Sequence, residues 1–274
     1  MIDSTCEICG DVSPRIIVQQ DEWQVLRCPK CELGWLYPRP DLSHVTGQYD
    51  EAYFVDHRIM TADTDEQLAS KVKGQSSRVR FVKRLKRGGA LLDIGCASGH
   101  FLGCAAEAGF EVEGIEVSEY AVRQGRERLG LSIEQGTIET VSFPSARFDV
   151  ITMWHVFEHF ADPVGSLQNA ARWLKPDGVL VVECPNSGSF DARKYGTEWA
   201  GWRIPYHLWH FTPKSLGKVF ERAGFEVRCI QTSPSLWLRN VMRRIPLLSL
   251  ARNLICPLFT GRDMRLVARQ NVGT

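Results

Sequence analysis

Beyond Gly88-Gly89 the chain alternates short apolar runs with helix-length stretches, and this alternation restricts the fold more than any other feature. The runs are Leu91 to Ile94, Val112 to Val117, Val150 to Trp154, Val179 to Glu183 and Phe225 to Ile230. They are strand-sized and lack a strict in-out pattern, as burial on both faces requires. Such strands, separated by helices, predict an α/β fold with a doubly wound, mostly parallel sheet.

The first 40 residues follow another rule. They hold Cys6-Glu-Ile-Cys9 and Cys28-Pro-Lys-Cys31, with eighteen residues between Cys9 and Cys28. Cysteine pairs at this spacing make a tetrahedral four-thiolate zinc site, and Cys6, Cys9, Cys28 and Cys31 are the expected ligands. Short β-like runs, Arg15 to Val18 and Trp23 to Leu26, supply hairpins around it. Four thiolates leave no open position, so the Zn2+ is expected to be structural. With so little apolar material here, the metal would provide most of the folding energy, on the order of 10–16 kcal/mol. The other five cysteines lie scattered in apolar or Gly-rich surroundings, which fits a reducing compartment. Tyr37-Pro-Arg-Pro40 is a stiff, extended linker. The expected organisation is a zinc ribbon over 1–40, a linker and helical region over 41–88, and a catalytic domain over 89–274.

From about Asp65 to Lys86, Leu68, Val72, Val79, Val82 and Leu85 fall three, four or seven apart, which predicts one amphipathic helix. Its other face carries Lys71, Lys73, Arg78, Arg80, Lys83, Arg84, Lys86 and Arg87, and is either a solvated face or an anionic-ligand surface. Over the whole chain 33 basic residues meet 32 acidic ones, so a nucleic-acid partner is not expected. The 44% hydrophobic content suits a folded core and excludes a disordered chain. No basic-then-apolar leader opens the sequence, and no apolar run reaches the roughly 18 to 20 residues of a membrane span. The expected location is cytoplasmic. The apolar, arginine-punctuated stretch 236–258 is expected to form a lid, a packing face or a peripheral membrane contact.

Chemistry concentrates at the carboxyl ends of the expected strands, where ligands of open α/β sheets bind. Leu91-Leu-Asp-Ile-Gly-Cys-Ala-Ser-Gly99 runs from a buried strand into a turn whose Gly95 and Gly99 permit close backbone approach. Glu111-Val-Glu-Gly-Ile-Glu116 ends in an acid placed to accept from both hydroxyls of a ribose. Asp93 can orient the cationic end of a ligand, or serve structure alone. Two further blocks follow: Phe148-Asp-Val-Ile-Thr-Met-Trp-His155-Val-Phe-Glu158-His159, after which Asp162-Pro163 signals a helix start, and Leu174-Lys-Pro-Asp-Gly178-Val-Leu, which reads as a helix end and turn before another central strand.

On these blocks the stretch from about Leu91 to Arg228 resembles a class I S-adenosylmethionine-dependent methyltransferase. The resemblance implies a Rossmann-like, seven-stranded sheet behind the small N-terminal zinc ribbon, with S-adenosylmethionine as cofactor. It implies a cofactor site of Asp93, Gly95, Ala97, Gly99, Glu116, Val117, Thr137, Ile138, Glu139 and Trp154. Gly95 and Gly99 would line the methionine tail, Glu116 the ribose, and Gly136 to Glu139 the adenine edge. Ala97 stands where a glycine is common in the family, and Thr137 where many members carry an acid. The acceptor implied is a small-molecule or carrier-linked metabolite, such as a sugar or polysaccharide intermediate.

Transfer to a hydroxyl or carbon acid needs alignment of the acceptor and a base, for which histidine is suited near neutral pH. The candidates are His155, at a strand tip, and His207 and His210 within Pro205-Tyr-His-Leu-Trp-His-Phe-Thr-Pro213. That aromatic segment reads as a pocket wall or as a core-covering loop whose histidines satisfy backbone groups. Tyr49-Asp-Glu-Ala-Tyr53-Phe54 could bring rings over the cofactor mouth. His155-Val-Phe-Glu-His159 also matches the HxxEH signature of inverted zinc proteases, but that motif needs a helix and here it follows a strand. Two alternatives stand beside the leading one. One is an RNA base methyltransferase gripping RNA with its ribbon; the other is a non-enzymatic zinc-ribbon module whose Rossmann-like domain only binds ligand.

Overall fold

The computed structural model describes residues 5–40, 64–243 and 254–271. The expectation for Tyr49 to Phe54, and the centre of that for 236–258, lie outside the described residues. The chain opens with an antiparallel meander of β1 (Arg15–Gln20), β2 (Trp23–Arg27) and β3 (Gly34–Tyr37).

Two helices stand where one was expected over Asp65 to Lys86: α1 (Asp65–Gly74) and α2 (Ser76–Leu85). Gly74, Ser76 and Ser77 meet at the break, and all are weak helix formers. Thr64 caps α1 by accepting from the Gln67 N–H at 3.2 Å. The apolar stripe persists across the break, with Val72, Val79 and Val82 all buried.

The main sheet contains β4 (Gly89–Ile94), β5 (Phe110–Glu116), β6 (Ser132–Gln135), β7 (Phe148–Trp154) and β8 (Leu174–Pro185). A two-residue strand, β9 (Trp209–His210), joins the N-terminal sheet, and β10 (Phe225–Pro234) and β11 (Thr260–Gln270) complete the main one. Its order is β10-β11-β8-β7-β4-β5-β6, with β4 to β8 parallel and β11 antiparallel to both neighbours. This is the doubly wound, mostly parallel, seven-stranded sheet expected.

Connecting helices are α3 (His100–Glu107), α4 (Glu119–Leu129), α5 (Pro163–Trp173), α6 (Phe190–Tyr195), α7 (Pro213–Arg222) and α8 (Leu236–Arg243). Asp162 and Pro163 start α5 as expected, the aspartate accepting from the Gly165 N–H at 2.9 Å. Adjacent residues of each central strand enter opposite cores. Leu91, Val150 and Val179 join Val79, Val82 and Phe101 on one side, while Leu92, Ile151 and Leu180 join Leu167, Val219 and Phe220 on the other. That two-sided burial is why the strands read as unbroken apolar runs.

The N-terminal sheet does not stand apart. β3 pairs with β9, so Gly34 faces His210 and Trp35 faces Trp209. A Cβ on Gly34 would lie 2.9 Å from the His210 Cβ, so only glycine fits there. Leu26, Leu33, Trp35 and Leu36 share one continuous core with Leu208, Phe211 and the main sheet. Burying each large apolar side chain is worth about 1.5–3 kcal/mol, so the ribbon draws stability from this contact as well. The Arg39 guanidinium lies 3.8 Å from the Trp209 ring centroid and donates to the Leu208 carbonyl at 3.2 Å. Among the described residues, no helix is long and apolar enough to cross a membrane.

Candidate active site

Four parallel strand ends meet at one edge: Ile94 of β4, Glu116 of β5, Trp154 of β7 and Glu183 of β8. After Ile94 the chain bends sharply, with Gly95, Ala97 and Gly99 at φ of 71°, 49° and 77°. Gly95 has no alternative, because a Cβ there would lie 2.5 Å from a Val156 methyl group. Ala97, where a glycine is common in the family, adopts the left-handed conformation nonetheless. Its N–H donates to Glu116 Oε2 at 2.8 Å, while the Ser118 N–H donates to Oε1 at 3.0 Å. The Gly95 and Cys96 N–H groups both donate to the Ile115 carbonyl, at 2.8 and 3.1 Å. Turn and carboxylate are thus one hydrogen-bonded unit.

Asp93 is buried and accepts from the Thr152 hydroxyl at 2.6 Å. Burial pushes its carboxyl up to about 7, opposed by that hydrogen bond and by Arg78. Burial likewise raises Glu116, against the backbone N–H groups that favour its ionised form. Gly136 donates to the Glu116 carbonyl at 2.9 Å, which brings the start of Thr137-Ile138-Glu139 beside Val117 and the carboxylate strand. Ile138 is buried, the Thr137 hydroxyl lies 3.4 Å from that of Thr140, and Glu139 accepts from Ser166 at 2.9 Å.

At the tip of β7, Trp154 is buried with an indole N–H that finds no acceptor among the described residues. Phe101 meets its ring edge-to-face at 5.2 Å, and the guanidinium groups of Arg78 and Arg265 lie 4.8 and 5.2 Å from its centroid. Both arginines reach Glu183, Arg78 at 2.7 Å and Arg265 through Nε at 3.0 Å and a second, shorter contact. His155, at φ 56°, lies 3.4 Å from Glu183 and 3.6 Å from Glu158. Burial disfavours its charged form, yet the two carboxylates prevail and hold its pKa at about 9. Glu183 and Arg265 were missed in the sequence, and Arg78 was read there only as part of a basic helix face. A lone acid closing the run Val179 to Glu183 was the available signal, since Glu116 closes its strand in the same way.

The other two candidate histidines lie in and just before β9, the strand that joins the N-terminal sheet. His207 is buried, with Nδ1 2.9 Å from the Gly201 carbonyl, and burial lowers its pKa to about 3. His210 is buried within β9, its ring 5.2 Å from that of Trp202, and burial holds it neutral. His155 is the most open of the three, its side chain 31% exposed against 7% for His207.

Around the hairpins the sulfurs of Cys6, Cys9, Cys28 and Cys31 all lie within 4.8 Å of one another. The pairs Cys6–Cys31 and Cys9–Cys28 stand 3.4 Å apart, well beyond a disulfide's roughly 2.05 Å. Thiolates on a tetrahedral metal with bonds of about 2.3 Å would sit about 3.8 Å apart, so the set fits such an ion.

A glycine bend bonded to a buried acid, at adjacent strand ends of this sheet, defines a doubly wound fold built for a nucleoside ligand. The family model described as "Methyltransferase domain" matches residues 64–230, more than half of the 274, and the protein belongs to that family. Strand order, bend and carboxylate are those of its class I, S-adenosylmethionine-dependent branch. The chain is 32% identical over 147 residues to the ubiquinone biosynthesis O-methyltransferase of Cereibacter sphaeroides, covering 50% of this chain and 60% of that one. It therefore spans less than two thirds of that relative's length. Among solved structures, a possible histamine N-methyltransferase from Thermotoga maritima superposes with a TM-score of 0.56 at 21% identity, over 83% of this chain and 99% of the other. A methyltransferase from Archaeoglobus fulgidus gives 0.57 at 18% identity, over 81% and 100%. These two likenesses speak for the fold.

Proposed function

We propose that the protein transfers a methyl group from S-adenosylmethionine to a small or carrier-linked metabolite. The observation that carries this reading is the 2.8 Å bond from the Ala97 N–H to Glu116, which locks the bend against the carboxylate. The residues fit the cofactor. Glu116 takes the Ala97 N–H on Oε2 and the Ser118 N–H on Oε1, with the Val117 N–H also turned to the carboxylate, and its two oxygens keep acceptor capacity for a ribose hydroxyl. Gly95, Ala97 and Gly99 would follow the methionine tail, Asp93 would face its ammonium end, and Val117 with Thr137 to Glu139 would border the adenine. Trp154 would wall the site from the β7 side. When bound, the cofactor supplies an electrophilic methyl group on a sulfonium.

The relative named for ubiquinone biosynthesis supports a hydroxyl-bearing acceptor over a nucleic acid. His155, the most exposed of the three candidate histidines, is the one we assign to meet that acceptor, and beside its partner Glu183 a cavity of about 150 Å³ is lined by Gln231, Thr232, Ser233 and Asp263. Alignment there would provide most of the rate; His155, which the two carboxylates keep protonated near neutral pH, would orient the acceptor by donating a hydrogen bond, and could take its proton only once pH rises toward about 9. The four cysteines hold a structural zinc, which suits a reducing compartment such as the cytoplasm. Calorimetry with S-adenosylhomocysteine tests the reading: the wild-type chain is expected to bind, and Glu116→Ala to bind far more weakly. No binding by the wild type, or equal binding by both, would overturn it.

A further inference from the structure

The HxxEH motif is not used by the proposed methyl transfer beyond its first histidine. It lies in a single 3-10 turn, Phe157–His159, and not on a helix, so His155 and His159 do not share a helical face. His159 instead meets His207, from a segment 48 residues on, with their rings edge-to-face at 4.8 Å. The Leu208 N–H donates to the Glu158 carbonyl at 2.9 Å and the Trp209 indole to the Phe160 carbonyl at 2.7 Å, which fixes the two segments together.

We propose that Glu158, His159 and His207 form a second metal site, which takes a divalent first-row transition ion through one carboxylate and two imidazoles. Their ligand atoms all lie within 4.8 Å of one another. Glu158 is 1% exposed, and neither carboxylate oxygen accepts a hydrogen bond from any described residue. His155 Nδ1 stands 3.6 Å and His207 Nε2 3.9 Å from Glu158 Oε1, both beyond hydrogen-bond distance. The protonated His155 offsets part of the desolvation cost of this buried carboxylate, and a directly bound cation would meet the oxygen lone pairs that no hydrogen bond fills.

The imidazoles are oriented for the same ion. His159 Nδ1 lies 2.8 Å from the Tyr206 carbonyl and His207 Nδ1 2.9 Å from the Gly201 carbonyl. A carbonyl oxygen can only accept, so both Nδ1 atoms carry the proton and both Nε2 atoms carry the lone pair. Donation from the non-ligating nitrogen to a backbone carbonyl is the usual support of a metal-bound histidine. Two imidazoles and a carboxylate suit Zn2+, Fe2+ or Co2+ better than Mg2+, and three protein ligands leave a position for water or another oxygen. His207 so engaged could not act as a base.

The site is tested on the full chain by Co2+ titration after chelator treatment, with metal content counted by mass spectrometry. Ions at the four cysteines show thiolate charge-transfer bands, whereas an imidazole-carboxylate site shows d–d bands without them. The expected result is two ions per chain, one in each class, falling to one in Glu158→Gln and His159→Gln with the thiolate bands intact. Co2+ should also broaden the ring resonances of His159 and His207. The proposal is overturned if every bound ion is accompanied by thiolate bands, or if both variants keep the thiolate-free ion. Should the variants misfold, the wild-type spectrum and the histidine broadening decide alone. Binding of S-adenosylhomocysteine is a separate readout, so failure of this site and failure of the methyltransferase reading remain distinguishable.

Discussion

Glu116 spends part of its acceptor capacity on the chain's own backbone and keeps the rest for a ligand. Glu116→Ala removes both functions. A hydrogen bond to a charged group is worth about 1.5–3 kcal/mol, so S-adenosylmethionine affinity should fall by about 10- to 100-fold in calorimetry. Asp93 makes a pH prediction. Its pKa of about 7 means that it is neutral below that pH and charged above it. The cofactor's ammonium keeps its proton up to about pH 7.7–8, so affinity should rise from pH 5.5 to 7.5, and Asp93→Asn should bind more weakly with a flat profile. A flat wild-type profile would sink that role. The sign for folding is opposite: between about pH 4 and 7 the folded chain holds a proton that the unfolded chain has released, so this group's contribution to stability declines as pH rises. Glu116, Gly95 and the cysteines were legible because their chemistry follows from local spacing. The cluster of Arg78, Glu183 and Arg265 was not, since its members lie in three elements that only the sheet brings together.

The strands were legible as elements because two-sided burial writes apolar runs into the sequence, and Asp162-Pro163 announced α5. Three features left no such trace. The break between α1 and α2 leaves the apolar stripe in phase, so periodicity alone runs through it. Leu174-Lys-Pro-Asp-Gly178 was expected as a turn ahead of a strand. In the fold it belongs to β8, where the register with β7 jumps from Phe148–Leu174 to Val150–Val179. The two-residue β9 has no periodicity at all and exists only because β3 pairs with it. The bend after β4 gives the element-scale test. Gly95→Ala forces an L-residue to φ 71° and sets its Cβ against Val156. The backbone alone should cost about 1–2 kcal/mol, and the steric conflict more. Urea denaturation should show Gly95→Ala/Val156→Ala recovering the steric part relative to Gly95→Ala, net of the Val156→Ala change by itself. No recovery would mean that the backbone, not Val156, demands glycine.

At the scale of the whole molecule, the sequence suggests a ribbon that relies on its metal, because its 40 residues hold little apolar matter. That count omits β9, Leu208 and Phe211, which reach the ribbon from some 170 residues away and bury Leu33, Trp35 and Leu36. Through β9 the N-terminal sheet also includes Trp209, and the adjoining Leu208 N–H supports the turn carrying Glu158. If the four cysteines hold zinc as proposed, its removal should therefore be felt beyond the ribbon. Cys28→Ser/Cys31→Ser deletes two of four ligands. Peptide zinc sites contribute about 10–16 kcal/mol in apparent terms, comparable with the entire 5–15 kcal/mol stability of a domain. In calorimetry the wild type should unfold in one transition. The double variant should shift that transition downward as a unit, bind S-adenosylhomocysteine more weakly, and become open to proteolysis both before residue 40 and between Trp199 and Phe211. An unchanged main transition with wild-type cofactor affinity would show that the two sheets unfold separately, and that the β3–β9 contact transmits little between them.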